Sequence, residues 1–518
     1  MELTALDPRM NTAPPDLPPG RDLPAGVMDF LLPLHEEFTA RQRELLARRA
    51  SVLAAAHRGQ LPGYLPPSEA TTGAWRVELP SWVADQRNQM TGPADDAELV
   101  VKMLNSGAPG VMIDLEDSMA NKWRNLMIGH RHAAAALHGT LQYFDPKRQQ
   151  QVGIRESSTV IYVRVRGLHL SQAGIFDDGP VAAPLFDLAM LMAGVDPERL
   201  KHPLSIYIPK SESAEEALWW RDLFARLAGI KGIAKRDIRA MALVESHPLA
   251  FQMEEFIYNL RDHLMGLNLG RWDYMASLIH FNLADPRWVL PDRNTIPHDV
   301  PFFQNLRVLM PEICHKRGIL AIGGMTALYP SRQDPELNAR ALAILEKDKK
   351  NEADALMDGA WTGHPDQNEI AVAQFPSPNQ LDRRPVAVDV HPDLRPVPDG
   401  IGRRTLAGSR AAARVTTLYR RGVIAAKGAS LIDGYMEDLA TDRIYRLMLT
   451  QRLLHRATVP LASDNGVEVV QDRAVLTHLY DEELGKLIDL SPPEDRSALV
   501  RAREASEEMI LEGWHTPA

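Results

Sequence analysis

The stretch RDHLMGLNLGRWDYM, Arg261–Met275, closes an apolar run with an asparagine, a glycine, an arginine, a tryptophan and an aspartate. It reads neither as an amphipathic helix nor as a cleanly alternating strand. Gly266 and Gly270 let the backbone turn tightly or approach a ligand closely, and their spacing does not match a dinucleotide fingerprint. The segment is predicted to be a short strand running into a loop that displays one carboxylate, Asp273.

Seven more apolar or β-branched runs end in the same way, on a polar or turn-forming group. They are RNQMTGP near Thr91, GVMIDLED at Asp114, TVIYVRVRG at Arg164, LSIYIPK at Lys210, MALVES at Glu245, ILAIGGM at Gly323 and GAWTGHP at His364. Helical stretches separate several of them, among them EEALWWRDLFARLAG, PLAFQMEEFIYNLRDHL and FQNLRVLMPEICHKRG. Eight strand-and-helix units predict an α/β fold, a (β/α)₈ TIM barrel with its functional groups at the carboxyl ends of the strands. A doubly wound open sheet is the competing topology. It concentrates its site at one switch point, whereas polar groups here close many strands, so the barrel is favoured.

The flanks have different chemistry. Residues 1–27 are Pro-rich without periodicity and predict a mobile or extended tail. Residues 28–85 open with MDFLLPLHEEFTARQRELLARRASVLAAAHR, which predicts an N-terminal helical segment or clasp ahead of a barrel over 86–375. Residues 376–400, within FPSPNQLDRRPVAVDVHPDLRPVPDG, read as a linker, and 401–518 as a C-terminal helical domain. Its helices are RRTLAGSRAAARVTTLYRRG, MEDLATDRIYRLMLTQRLLH, RAVLTHLYDEELGKLI and EDRSALVRAREASEEMILEG.

With 518 residues, 45% of them hydrophobic, the chain can bury a large core. A net charge of -10 argues against a general nucleic-acid binder, which needs a basic face. The single cysteine, Cys314, excludes an internal disulfide framework and reads as a packing residue. No apolar stretch is long enough to cross a bilayer, and no basic-then-apolar segment opens the chain, so no membrane partner and a cytoplasmic location are expected.

In order, MTGPADDAELVVKMLNSGA, DLEDS, VRVRGLHL, LVES, RDHLMGLNLGRWDY, CHKRGILAIGGM and MEDLAT resemble malate synthase of the A type, from about Met28 to the region of Arg446. The resemblance implies a TIM barrel clasped by N-terminal helices and covered by a C-terminal helical domain. It implies condensation of acetyl-CoA with glyoxylate to malate and CoA, with Mg²⁺ as cofactor.

Glu245 and Asp273 end neighbouring strands 28 residues apart, one strand-and-helix unit, and two carboxylates with waters and an oxygen-rich substrate suit Mg²⁺. Taken alone, acids at strand ends are more often helix caps or ion-pair partners. Arg164 offers a permanent planar cation at a strand end, with a salt bridge to DLED as its bland reading and Arg166 as the alternative; the resemblance makes Arg164 the catalytic one. Asp438, in YMEDLAT, has the first turn of a helix as its ordinary place, and the resemblance makes it the catalytic base. Asp114 and Glu116 are given a supporting part. Gly270, Arg271 and Trp272 of the signature, Gly324 and Met325 of GGM, and Pro365 of GHP are expected near substrate or CoA.

The chain departs from the family pattern in several places. It has Leu115 for a usual Phe, VESHP where Thr follows the Glu, Ala276 for an aromatic, GHPDQ for Ala-His-Pro-Gly, and MEDLATDRIYR for MEDAATAEISR. Two rivals remain: a malyl-CoA-type lyase, distinguished by an intact thioester rather than free CoA, and a non-catalytic relative without metal-dependent turnover.

Overall fold

A computed structural model gives the fold; it describes residues 10–14, 22–386, 388–398, 400–456, 461–463 and 465–512. All eight anticipated strands form: β1 (Asn88–Pro93), β2 (Gly110–Asp114), β3 (Val160–Arg164), β4 (Leu204–Ile208), β5 (Ile238–Val244), β6 (Leu264–Leu269), β7 (Leu320–Ile322) and β8 (Ala360–Thr362). From β2 to β7 each pairs in parallel with its predecessor, and β8 pairs with β1. Only the β7–β8 seam lacks a ladder. A single parallel bridge, Ile322 with Gly359, joins it. Consecutive strands are neighbours around a nearly closed ring, so no switch point exists and the open sheet is excluded.

The two-residue period of a strand sorts the barrel's side chains into two layers. Val160, Tyr162, Met112, Tyr207, Met241, Leu243, Met265, Leu320, Ile322 and Trp361 form an interior cluster. Val111, Ile113, Val163, Ile206, Ala240, Ala242, Val244, Leu267 and Leu269 belong to the outer layer under the helices. Continuing the inward series by one step gives Asp114 after Met112, Arg164 after Tyr162 and Glu245 after Leu243. The register pairs Asp114 directly with Arg164. The strands thus deliver charged groups to the mouth by the same alternation that fills the barrel with apolar ones.

The N-terminal helix α1 (His35–Ala56) packs on the barrel exterior, where Arg49 donates to Glu216 at 2.6 and 2.8 Å and Trp219 Nε1 donates to the Phe38 carbonyl at 2.9 Å. The expectation of a mobile or extended tail over 1–27 needs correction within its described part. Met10–Thr12 is a strand, paired in parallel with Ser171–Ala173, and a helix already begins at Val27. The tail's lack of periodicity hid this, because three residues are too few to show one. Residues 1–9 and 15–21 lie outside the described residues.

Residues 376–400 carry no helix or strand among those described. Four helices follow, as expected: α2 (Leu406–Ile424), α3 (Leu439–Leu454), α4 (Arg473–Leu490) and α5 (Arg496–Leu511). Two short hairpins interrupt them, Ser430–Ile432 with Tyr435–Glu437 and Leu461–Ala462 with Glu468–Val469. Among the described residues no helix is long and apolar enough to cross a membrane.

The seam makes a direct test. A Cβ on Gly359 would lie 1.9 Å from the Gln86 carbonyl oxygen, a backbone atom that cannot swing aside. Gly359→Ala is expected to lower stability by about 1–3 kcal/mol or more, the range of an overpacked core. Gly229→Ala, in a helix with open space around it, is the control and is expected to be neutral or mildly stabilising. Urea denaturation of both variants checks this.

Candidate active site

Arg164 is fixed before any ligand is considered. Its Nε and Nη2 donate to Asp114 Oδ1 and Oδ2, both at 2.6 Å, and Asp114 also accepts from the N–H groups of Glu116 and Ser118 at 2.9 Å. Burial raises the Asp114 carboxyl, but Arg164 outweighs it and holds the group below its ordinary range. The third nitrogen, Nη1, has no such bond; Glu116 and Asp117 lie 3.6 and 3.9 Å from it. Asp114 therefore leaves one arm of the fork to the mouth.

Arg166, the alternative, is committed elsewhere. Its Nη2 donates to Asp187 at 2.7 Å and its Nη1 to Gln172 at 3.0 Å. Burial raises Asp187, yet Arg166 and His130 pull it down to about 2. This pair is part of the framework.

Gly270 separates β6 from the helix Arg271–Phe281. Asp273 sits in the first turn of that helix, not in a loop. This corrects the strand-into-loop reading of the signature; Trp272 and Asp273 begin the helix immediately after Gly270, and a first-turn acid suits the positive end of the helix dipole. Gly270 has a negative φ, -78°, so its use is space rather than a left-handed turn. A Cβ there would lie 2.6 Å from Cβ and Oε2 of Glu245. The glycine makes room for the carboxylate of the adjacent strand.

Asp438 reaches the mouth from outside the barrel. The hairpin before it docks on the loop after β7: Tyr329 N–H donates to the Gly434 carbonyl at 3.0 Å and Met436 N–H to the Ala327 carbonyl at 2.9 Å. Glu437 accepts from Arg293 Nη1 at 2.7 and 2.8 Å, and that nitrogen also donates to Tyr445 at 3.0 Å. Asp438 then caps α3 through a capping box with Thr441. The ordinary reading as a helix cap and the reading as a mouth residue are both true of it.

Arg164, Glu245, Asp273 and Asp438 line one cavity of about 260 Å³ together with Gly270, Arg271, Trp272, Gly324 and Met325. Arg271 does so with a spent side chain: it is bonded to Asp348 at 2.8 Å twice and to the Met325 carbonyl, which Trp272 Nε1 also holds at 3.1 Å. Asp114 and Pro365 do not line this cavity, and Glu116 faces a neighbouring one. Asp114 is consumed by Arg164, and Pro365 opens a 3₁₀ turn behind His364.

Two residues of the mouth, Lys210 and Asp117, were missed as site residues. Lys210 Nζ pairs with Asp117, with Glu116 at 3.1 Å and with Asp273 at 3.2 Å, and its backbone N–H donates to Glu245 at 2.7 Å. The signal was present, since Lys210 closes the fourth strand run just as Glu245 closes the fifth. Four buried carboxylates (Asp114, Glu116, Asp117 and Asp273) are thus ion-paired, among the described residues, by two cationic side chains, Arg164 and Lys210, while Glu245 accepts the Lys210 main-chain N–H. Burial, then the charges of Asp273 and Glu116, push the Glu245 carboxyl well above its ordinary range despite Lys210. Burial opposes ionisation of Asp273 too, but Lys210 and Arg443 keep it below. Burial, with Asp117 and Asp273, pushes Asp438 up to about 7.

A barrel mouth gathering these charged groups beneath a helix capped by Asp438 defines a TIM-barrel enzyme covered by helices. The family model "Malate synthase, TIM barrel domain" matches residues 160–393. The chain is 37% identical to malate synthase of Streptomyces clavuligerus over 95% of its own length and 92% of that protein. It is 33% identical to malate synthase of Arabidopsis thaliana (89% and 84%) and to malate synthase A of Escherichia coli strain K12 (94% and 91%). The chain belongs to the malate synthase family.

Gly270→Ala tests the fit at the centre of this site. Malate formation is expected to fall at least about tenfold, because the added methyl displaces Glu245 and small misplacements at a reacting centre are costly. The far-UV circular dichroism spectrum should stay that of the wild type; undiminished turnover would show that Glu245 need not lie where it does.

Proposed function

We propose that this chain condenses acetyl-CoA with glyoxylate and hydrolyses the resulting thioester to malate and CoA, with Glu245 and Asp273 holding Mg²⁺. One observation carries the reading: Arg164, Glu245 and Asp273 from the barrel and Asp438 from the overlying helix meet at a single cavity.

The residues suit the ion. Negative charge exceeds positive at the mouth, Glu245 is driven toward protonation, and Glu116 Oε1 and Asp117 Oδ1 are buried without hydrogen-bond partners. No cluster of three or more His, Cys, Asp or Glu side chains arranged for a metal occurs among the described residues. Mg²⁺ does not require one, since it keeps much of its hydration and binds through one or two carboxylates plus substrate oxygens. When bound, it would supply Lewis-acid polarisation of the glyoxylate aldehyde.

Asp438 removes a proton from the thioester methyl. A carboxylate raised to about 7 is a stronger base than an exposed one, and it is not a metal ligand in this scheme. The carbanion equivalent adds to the aldehyde carbon, and the oxygen charge that develops meets the free Nη1 of Arg164, whose other nitrogens Asp114 holds in place. Water then cleaves the thioester, releasing CoA. Bringing Asp438 in on a separate helix lets the covering segment exclude bulk water during carbon–carbon bond formation.

Asp438→Asn preserves volume and the helix cap but cannot take the methyl proton. Condensation is expected to fall by roughly two orders of magnitude or more with the glyoxylate KM little changed. Exchange of the acetyl-CoA methyl hydrogens with heavy water, with an unreactive glyoxylate analogue present, should be lost as well. Retained exchange would place the base elsewhere. Asp438 acts as the carboxylate, so kcat/KM must fall as the pH drops below its pKa, giving an acid limb at about 7 or lower when a cation is bound nearby. That limb should be absent from whatever activity remains in the variant.

Arg164→Lys is expected to lose at least about a hundredfold in kcat, since one ammonium cannot hold Asp114 with two nitrogens and offer a third. Steady-state kinetics of free CoA release decide it, and near-normal turnover would remove Arg164 from the chemistry.

A further inference from the structure

Lys210 stands two residues beyond β4 with a φ of 48°, a left-handed backbone that a lysine seldom adopts. The bend separates its two polar ends. Its backbone N–H faces Oε1 of Glu245 at 2.7 Å, while its side chain crosses the mouth to Asp117, Glu116 and Oδ2 of Asp273. One residue therefore touches both of the carboxylates assigned above to Mg²⁺, one through the main chain and one through the ammonium. The side chain is buried, so no solvent screens these pairs.

The two contacts have opposite consequences for a metal ion. The main-chain bond orients Glu245 without competing for its second oxygen, Oε2. The ammonium instead sits on an oxygen of Asp273 that a divalent cation would need. Its charge is single and shared among three carboxylates, with its hydrogen bonds going to Glu116 and Asp117, so a doubly charged ion with a stronger pull on Asp273 can displace it toward those two.

We propose that Lys210 is a positioning residue that acts as a resident competitor for the cation site: its ammonium holds Asp273 in the absence of divalent metal and yields that oxygen when the metal enters. Lys210 thereby keeps four buried carboxylates together without metal, Glu116, Asp117 and Asp273 through its ammonium and Glu245 through its N–H, and weakens metal affinity to a reversible level. The inference rests on Glu245 and Asp273 being the metal ligands.

The test uses the full-length chain and Mn²⁺ as a paramagnetic probe, titrated by electron paramagnetic resonance with Mg²⁺ as competitor and no substrate. Wild type, Lys210→Met and Lys210→Arg are compared. Removing the ammonium is expected to tighten Mn²⁺ binding at least about tenfold, while Lys210→Arg, which keeps the charge, stays near wild type. The rise in melting temperature on adding Mg²⁺ should also be larger in Lys210→Met. An unchanged or weaker Mn²⁺ affinity in that variant, with a wild-type circular dichroism spectrum, overturns the proposal. Absence of Mn²⁺ binding in the wild type is a different failure, that of the Glu245 and Asp273 assignment. If Lys210→Met does not fold, the charge-balanced Lys210→Met/Asp117→Asn protein replaces it. A dissociation constant below wild type then supports competition at Asp273, and one at or above wild type overturns it.

Discussion

Like charges buried together repel, and the mouth of this barrel gathers five carboxylates within reach of one another. Each would be expensive to ionise alone in such a place. Arg164 neutralises Asp114 through a two-pronged bond, and Lys210 spreads one ammonium over Glu116, Asp117 and Asp273. The rest of the site follows from that arrangement. Glu245 is left in surplus and is driven toward protonation, which makes the position receptive to a divalent cation. Asp438, across the cavity, feels the same negative charge and becomes a stronger base. The protonation of Glu245 and that of Asp438 are thus set by one field, and a change in any carboxylate of the group alters both.

That field is useful only if Asp438 is held at the mouth, and its attachment is built from several kinds of contact. Main-chain bonds join the Tyr435–Glu437 hairpin to the loop after β7. The buried pair of Glu437 with Arg293 anchors the residue next to the base, and Arg293 also meets Tyr445 one and a half turns into α3. Breaking one partner of such a buried pair leaves an uncompensated charge, at a cost of about 3–5 kcal/mol. The cap of α3 fixes the carboxylate itself. Asp438 is therefore carried by the covering helix but registered by the barrel loops.

Much of this was legible in the sequence because barrels announce themselves through period. All eight strands lie where apolar runs end on polar residues, and four C-terminal helices lie where apolar residues recur at helical spacing. The choice between Arg164 and Arg166 needed the register, since both lie at even steps from Tyr162, and only the strand's end at Arg164 separates them. Asp273 was found but set in a loop, because a helix beginning directly after a glycine carries no preceding polar cap to mark it. Lys210 was passed over as a strand end like any other. Its importance depends on a left-handed backbone and on three carboxylates from distant segments, neither of which a linear pattern records. The two-residue-turn hairpin before Asp438 and the Met10–Thr12 strand are too short to generate a periodic signal.

The departures from the family pattern are decided by where the side chains go. Asp442 is buried and binds Arg420 of α2 at 2.6 Å and Arg446 of its own helix at 2.8 Å, so it ties α2 to α3. Tyr445 holds Arg293. Leu115 faces the neighbouring cavity, and Ala276, Ser246 and His247 are buried away from the active one. None of these lines the active cavity. Gly363 differs. It lines the active cavity where the family pattern has Ala, and a Cβ there would lie 3.2 Å from the Met325 sulfur, a tight contact that the glycine avoids. The methyl's absence leaves room beside Met325, the most adaptable of apolar side chains, in the wall of the same cavity. Of these departures, that at position 363 changes the wall of the cavity itself, while Arg443, where the family pattern has Glu, adds a cation that helps to hold Asp273 ionised.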